Sequence, residues 1–276
     1  MNIKERILWL SFYSNLLVVF IYLFFSEGSV GIDFDFGSLI NLLVFILPII
    51  VLFFHSTLTL GTLRGLLFIL LASLTGLIFE IWGLNTGTFF GGEYIYQSNG
   101  LQIFDVPVPV ICFWAVFIYT GYSFTNSFLY WLNKPKPAIK NKNLLTLLLL
   151  ILLDGFLVTA IDLFMDPLQV RVGSWIWVEG GPYFGVPIGN FIGWFLVTII
   201  VTGIFRIFEY LFPHEKLHFN DRVFIMPVIS YLMIWLSFSI SALKMNLISL
   251  FLIGSALMLP ITIVNLRLFV RWKNIK

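Results

Sequence analysis

The chain has 276 residues, 59% of them hydrophobic and 11% charged, with a mean hydropathy of +0.99 and a net charge of +2. A soluble domain carries about 25% charged residues and cannot keep this much apolar surface from water, which excludes a cytosolic enzyme, a nucleic-acid module and a disordered chain. The small net charge argues against a polyanionic partner, and the single cysteine, Cys112, excludes an internal disulfide or a multi-cysteine metal or cluster site.

A transmembrane helix needs about 20 mostly apolar residues. Eight such segments follow one another: 7–25, 38–55, 64–86, 106–132, 144–165, 187–211, 222–243 and 246–268. The apolar runs are long and do not alternate, so a β-barrel is excluded. The predicted class is an all-α polytopic integral membrane protein with about eight transmembrane helices, one membrane domain over 1–276. The first span follows Lys4 and Arg6 and ends in Phe24-Phe25-Ser26-Glu27 with no small-x-small cleavage site, the pattern of a retained signal-anchor.

Orientation follows from Lys and Arg. With the N-terminus inside, the cytoplasmic positions are Lys4, Arg6, Arg64, Lys134, Lys136, Lys140, Lys142, Arg206, Lys216, Arg222, Arg267, Arg271, Lys273 and Lys276. Only Arg171 and Lys244 of the 16 basic residues fall outside. This split predicts both termini in the cytoplasm of a cell-membrane protein.

The basic, proline-containing stretch from Asn133 to Lys142 divides spans 1–4 from spans 5–8. A faint internal echo joins the two sides. Val106-Pro107 begins span 4 with Trp114 seven residues after the proline; Val186-Pro187 begins span 6 with Trp194 at the same spacing. Each is preceded by an outward-running span with an acid, Glu80 or Asp162, and an aromatic, Gly-rich outer loop. This fits a parallel helix-loop-helix repeat. It also fits the common use of Pro in first turns and Trp in membranes.

The two outer loops, Gly83 to Tyr96 and Asp162 to Pro187, carry many Gly, Trp, Tyr and Phe residues with a few acids. Such stretches can fold back into the interface, with Gly allowing tight turns and aromatics offering flat apolar faces. The plainer reading is an aromatic belt at headgroup level, which accounts for the Trp and Tyr but less well for the Gly and the acids.

Charges inside spans are costly and point to function. Glu80, Asp154 and Asp162 lie within spans; Asp166 and Glu93 lie near the outer interface. Asp154 and Asp162 are about 80° apart in azimuth and roughly 12 Å apart along a helix. Asp162 and Asp166, four residues apart, share a face. Glu80, Asp162, Asp166 and Asn190 thus fall at one depth. A protonated buried carboxyl serves as a general acid, a second carboxylate can hold water, and Trp or Tyr faces can stabilise a carbocation. Acid-initiated chemistry on a polyene or isoprenoid needs such a set. The structural alternative is acids that cap helices or bond to backbone and Arg171. Asp166-Pro167 is expected to end span 5, since the residue before Pro avoids the helical region. Gly61-x-x-x-Gly65, Gly83-x-x-x-Gly87 and Gly189-x-x-x-Gly193 read as helix-packing contacts, and Cys112 as a small packing residue. His55 ends span 2 and carries no signal. His214-Glu-Lys-Leu-His218 fits the H-E-x-x-H zinc pattern, yet it follows Pro213 in a short polar loop on the opposite side from the acids, so the predicted metal set is none.

Several of these runs together resemble a known family. The stretch from Glu80 to Tyr96 with Val106-Pro107 and Trp114 is one block. Ala160 to Pro167, Gly173-Ser-Trp-Ile-Trp177, Gly181-Pro-Tyr-Phe-Gly-Val-Pro187 and Asn190-Phe-Ile-Gly-Trp194 form another. Both resemble the membrane carotenoid-biosynthesis proteins that include bisanhydrobacterioruberin hydratase and gamma-carotene 1'-hydroxylase, over roughly residues 76–200. Glu93 departs from the pattern. The resemblance implies a hydratase that adds water to the terminal double bond of an acyclic carotenoid, giving a tertiary alcohol. The implied core is 64–211, with carotenoid, water and the lipid bilayer as partners and no redox cofactor or metal. Asp162 and Glu80 are expected as acid and base in either order, with Asp166 and Asn190 holding water. Trp175, Trp177, Tyr183, Tyr94 and Trp194 are expected to line the end-group pocket. A carotenoid is about as long as the roughly 30 Å hydrocarbon core, so one end can reach an outer site while the polyene stays in lipid. The alternatives are an end-group cyclase, a lipid or small-molecule transporter with an acidic relay, and an intramembrane metalloprotease.

Overall fold

The computed structural model describes residues 3–25, 39–98, 100–133, 144–213 and 220–275. Among them, eight helices are long and apolar enough to cross a membrane. They are α1 (Ile3–Phe25), α2 (Leu39–Thr59), α3 (Thr62–Thr86), α4 (Val108–Asn133), α5 (Leu144–Val172), α6 (Ile188–Leu211), α7 (Met226–Lys244) and α8 (Ile248–Ile275). This is the expected all-α polytopic integral membrane protein. Leu and Ile side chains along α1, α3 and α8 stay exposed, as suits faces solvated by lipid. Helix α4 is the most enclosed of the eight. It packs against α2, α3, α5, α6, α7 and α8 and forms the centre of the bundle.

The outer connections hold short strands: β1 (Tyr94–Tyr96), β2 (Gln102–Ile103), β3 (Val106–Pro107) and β4 (Trp175–Trp177). Strand β1 pairs antiparallel with β4, Ile95 opposite Ile176, while β2 and β3 form a hairpin. Side chains alternate along a strand. Tyr94, Trp175 and Trp177 are therefore buried beneath the β1–β4 ribbon with Tyr96 beside them, while Ile95 and Ile176 face out. The ribbon joins the two halves of the molecule and roofs the bundle at its outer end.

Span 4 begins two residues later than expected. Val106-Pro107 is strand β3, not the first turn of α4, because Phe104 and Asp105 turn the chain back with φ of 51° and 64°. The other half repeats this device. Phe184 and Gly185 have φ of 50° and 89°, Tyr183 and Val186 exchange backbone hydrogen bonds, and Pro187 then caps α6. Two consecutive positive φ values mark the tight hairpin turn whose twist suits antiparallel strands. The echo thus extends over Phe104 to Trp114 and Phe184 to Trp194, and Trp114 and Trp194 stack on each other with centroids 3.8 Å apart.

Helix α5 does not stop at Asp166-Pro167. It runs to Val172 and ends at Gly173, φ 77°. Proline has no N–H, so the carbonyl of Leu163 four residues before it loses its helical donor. The Tyr183 hydroxyl supplies one, at 3.1 Å. Arg206, counted above among the cytoplasmic charges, is buried within α6 against Asp154 of α5. The charge asymmetry survives without it. His55 is also not a spent helix end: its ring is buried, with Nδ1 2.7 Å from the Tyr119 hydroxyl and Nε2 3.1 Å from the Val223 carbonyl. Of the glycine pairs, Gly65, Gly83, Gly189 and Gly193 do lie at close contacts, whereas Gly61 and Gly87 take left-handed backbone at the two ends of α3. The His214–His218 run and residues 134–142 of the linker lie outside the described residues.

Candidate functional site

Glu80 sits on α3 on a face cut back by glycine. A Cβ at Gly76 would come within 2.4 Å of the Trp114 ring, and one at Gly83 within 2.6 Å of Phe90. These absent side chains let aromatic groups close over the carboxyl, which is buried. Three donors reach it. Trp114 Nε1 donates to Oε1 at 2.9 Å, and the hydroxyls of Tyr94 and Tyr96 donate to Oε2 at 2.7 and 2.8 Å. The two tyrosines bracket Ile95 on β1, and strand alternation brings them to the same oxygen. Burial, and then the charge of Glu80, holds both phenols well above their ordinary pKa, so they remain donors.

The second half supplies Asp162 and Asp166 from one face of α5 and Asn190 from the first turn of α6, all buried. The Asn190 amide donates to both acids from Nδ2, at 2.9 Å to Asp162 Oδ2 and 2.7 Å to Asp166 Oδ2. The shared Nδ2 brings the two Oδ2 atoms close together. Asp162 Oδ1 is buried without a hydrogen-bond partner among the described residues.

Glu80, Asp166 and Asn190 open onto one cavity, about 30 Å³ open to the centres of water molecules. A water needs about 10–15 Å³ by that measure, so the space suits one or two. Tyr94, Tyr96, Trp114, Trp175, Trp177 and Trp194 are part of its wall. Trp177 keeps a buried indole N–H without an acceptor among the described residues. Asp162 is not part of the wall and stands behind Asp166. Tyr183 is also away from it: it packs edge-on to Phe184 and Phe191 and serves the Leu163 carbonyl. Burial and then Asp162 push its phenol up to about 12.

Tyr96 and Trp114 are direct partners of Glu80 that sequence reasoning did not place in the site. Both had signals. Tyr96 is two residues from Tyr94, hence on the same strand face, and Trp114 is the counterpart of Trp194 in the internal echo. Asp154 belongs to a separate cluster. Its carboxylate accepts from Arg206 Nε at 2.6 Å and Nη2 at 2.8 Å; Arg206 also donates to Asn126 and lies over the Tyr122 ring, and Tyr122 donates to Glu209. Among the described residues no group of three or more His, Cys, Asp or Glu is arranged to hold a metal ion.

Residues 40–261 match the family described as carotenoid biosynthesis protein. No curated protein and no solved structure matches the chain.

Proposed function

The chain belongs to the carotenoid biosynthesis protein family, and from that premise we propose that it is a carotenoid hydratase of the cell membrane, acting on an acyclic end group. The observation that carries the reading is the convergence of Glu80 and Asp166 on one small aromatic-walled cavity, with Asp162 tied to Asp166 through the Asn190 amide. All of these groups lie in spans 3–6, within the core at 64–211.

The Asp162–Asp166 pair is the proton source. Asp166 faces the cavity, and Asp162 behind it with the Asn190 amide stabilises the carboxylate left after transfer. The proton goes to the less substituted carbon of the terminal double bond, and the tertiary carbon becomes a cation. Tryptophan and tyrosine faces stabilise that cation in a dry site. Glu80 accepts from three neutral donors, which suits a carboxylate that stays ionised until it takes a proton. A water then attacks the cation, its oxygen forming the new C–O bond, and its surplus proton passes to Glu80. Return of that proton to the aspartate pair resets the site. The net change is addition of one water, with no change of oxidation state overall.

An end-group cyclase would begin with the same protonation. The polar groups on the wall suited to holding a water favour hydration: the Asn190 amide and the unpartnered Trp177 N–H. Expression in a bacterium that makes lycopene, followed by chromatography and mass spectrometry, tests the reading. The expected product gains one or two waters, and the gain disappears in Asp166→Asn and Glu80→Gln. A cyclic product of unchanged mass would replace hydration with cyclisation, and unaltered pigment with the protein in the membrane would overturn both.

A further inference from the structure

A second, larger cavity runs through the bundle between α1, α2, α4 and α7, with a volume of about 170 Å³. Its wall is mostly apolar. It follows α2 from Asn41 to His55, fourteen residues or about 21 Å of helix. By the charge-derived orientation it extends from the outer end of the molecule toward the cytoplasmic end, where His55 ties α2 to Tyr119 and to the Val223 carbonyl. Phe113, Phe117 and Met165 line both this channel and the acid cavity. Met165 is the immediate neighbour of Asp166, so the channel reaches the acids through one narrow partition of three side chains.

We propose that this channel holds the rod-like apolar body of a polyene while its end group passes between Phe113, Phe117 and Met165 to reach Asp166. The ligand class rests on the hydratase reading; the binding path rests on the wall of Phe113, Phe117 and Met165 that the two cavities share. The shape is the argument. A small substrate would need only the acid cavity. A long isoprenoid needs an apolar space that borders the reacting group and continues along the membrane normal, as the lining of this cavity from Asn41 to His55 does. Thioether chains at Met165 and Met233 can adjust to a rod sliding past them. The substrate, about 30 Å long if it matches the hydrocarbon core, exceeds the 21 Å channel. Its second end therefore stays outside the acid site, and each end is processed in a separate binding event.

The test separates the channel from the chemistry. Wild-type protein made in lycopene-producing cells is purified in detergent with its retained pigment. A photo-crosslinking residue replaces either Met233, on the channel wall, or Leu252, exposed toward lipid. The expected result is pigment capture at Met233 at least tenfold above that at Leu252. Equal capture at the two positions overturns the channel. Ser230→Trp fills the cytoplasmic part of the channel away from the acids. It should lower hydration of the full-length carotene at least tenfold while a half-length acyclic isoprenoid with the same terminal group is still hydrated. Unchanged turnover of the long substrate in Ser230→Trp overturns the channel and leaves hydration standing. Capture at Met233 by protein that never hydrates its pigment supports the channel and overturns the hydratase.

Discussion

The two halves of the site share a frame and differ in how they hold charge. In 62–133 and in 144–211, an outward helix brings an acid to the outer third, a strand of two aromatics flanking isoleucine crosses above it, and a positive-φ turn leads through Val-Pro to a helix bearing Trp. The first half then surrounds its single acid, Glu80, with three neutral donors. The second half doubles the acid and gives the pair one shared amide. Three donors favour the charged form of a carboxyl, whereas two carboxyls held on one amide favour keeping a proton between them. One scaffold with a few different polar residues thus brings two unlike carboxyl sites to one cavity, which the proposed hydration uses as base and acid. Fold alone does not dictate such a division of roles.

The comparison breaks first at the carboxyls. Asp166→Asn removes the proton donor and Glu80→Gln the acceptor, and each is expected to lower hydration by about 10²–10⁴-fold, the usual worth of positioned acid–base groups. The two losses should differ in kind. Initial rates measured against pH in purified protein should place the wild-type fall at high pH with the aspartate pair, whose proton must be present, and the fall at low pH with Glu80, which must be free. Equal profiles for the two variants would dissolve the assignment of roles. Next in size is the inner cluster, which lies outside the site. Arg206→Ala strands Asp154 in the bundle, and breaking a buried pair costs about 3–5 kcal/mol. Unfolding in mixed micelles should show that loss. Asp154→Leu combined with Arg206→Met should recover most of it, since a pair removed whole leaves no unpaired charge.

Much of this was legible in the chain and some was not, for physical reasons. The spans are readable because a bilayer demands about 20 apolar residues in a row, and the acids because burying charge there is costly. Their common depth follows from counting residues along helices. The strands are only two or three residues long, and Tyr-Ile-Tyr and Trp-Ile-Trp are too brief to show a period. Only their pairing across some 80 residues gives them form. Arg206 reads as a charge at the cytoplasmic end of span 6 because its partner Asp154 is 52 residues away. The passage of α5 through Pro167 depends on Tyr183, on the far side of β4.

A smaller effect sharpens the contrast between halves. Tyr96→Phe leaves Glu80 with two donors in place of three, and a hydrogen bond to a charged group is worth about 1.5–3 kcal/mol. If Glu80 takes up a proton during turnover, part of that energy is lost at the same moment, so its basicity should rise in Tyr96→Phe. The low-pH limb of the rate profile should move to higher pH, while the limb assigned to the aspartate pair stays fixed. A shift of both limbs would mean that the three acids titrate as a single unit.

The smallest expected effect lies at Tyr183, which the structure puts beside the aspartate pair and not in the cavity wall. Tyr183→Phe deprives the Leu163 carbonyl of the donor that replaces the missing N–H of Pro167. Hydrogen bonds between membrane segments average about 0.6 kcal/mol and reach about 1.7, so the loss in an unfolding assay should fall in that range. Pro167→Ala returns an N–H to the helix. In that background Tyr183→Phe should cost close to nothing, which makes a double-mutant cycle the decisive measurement. If Tyr183 acted on substrate, its removal would lower turnover equally with or without Pro167. If it only completes α5, hydration should change little and the coupling should appear in stability alone. The second outcome would establish that α5 passes through a proline to carry Asp166 to the cavity on continuous helix, with a phenol from the next turn making good the missing bond.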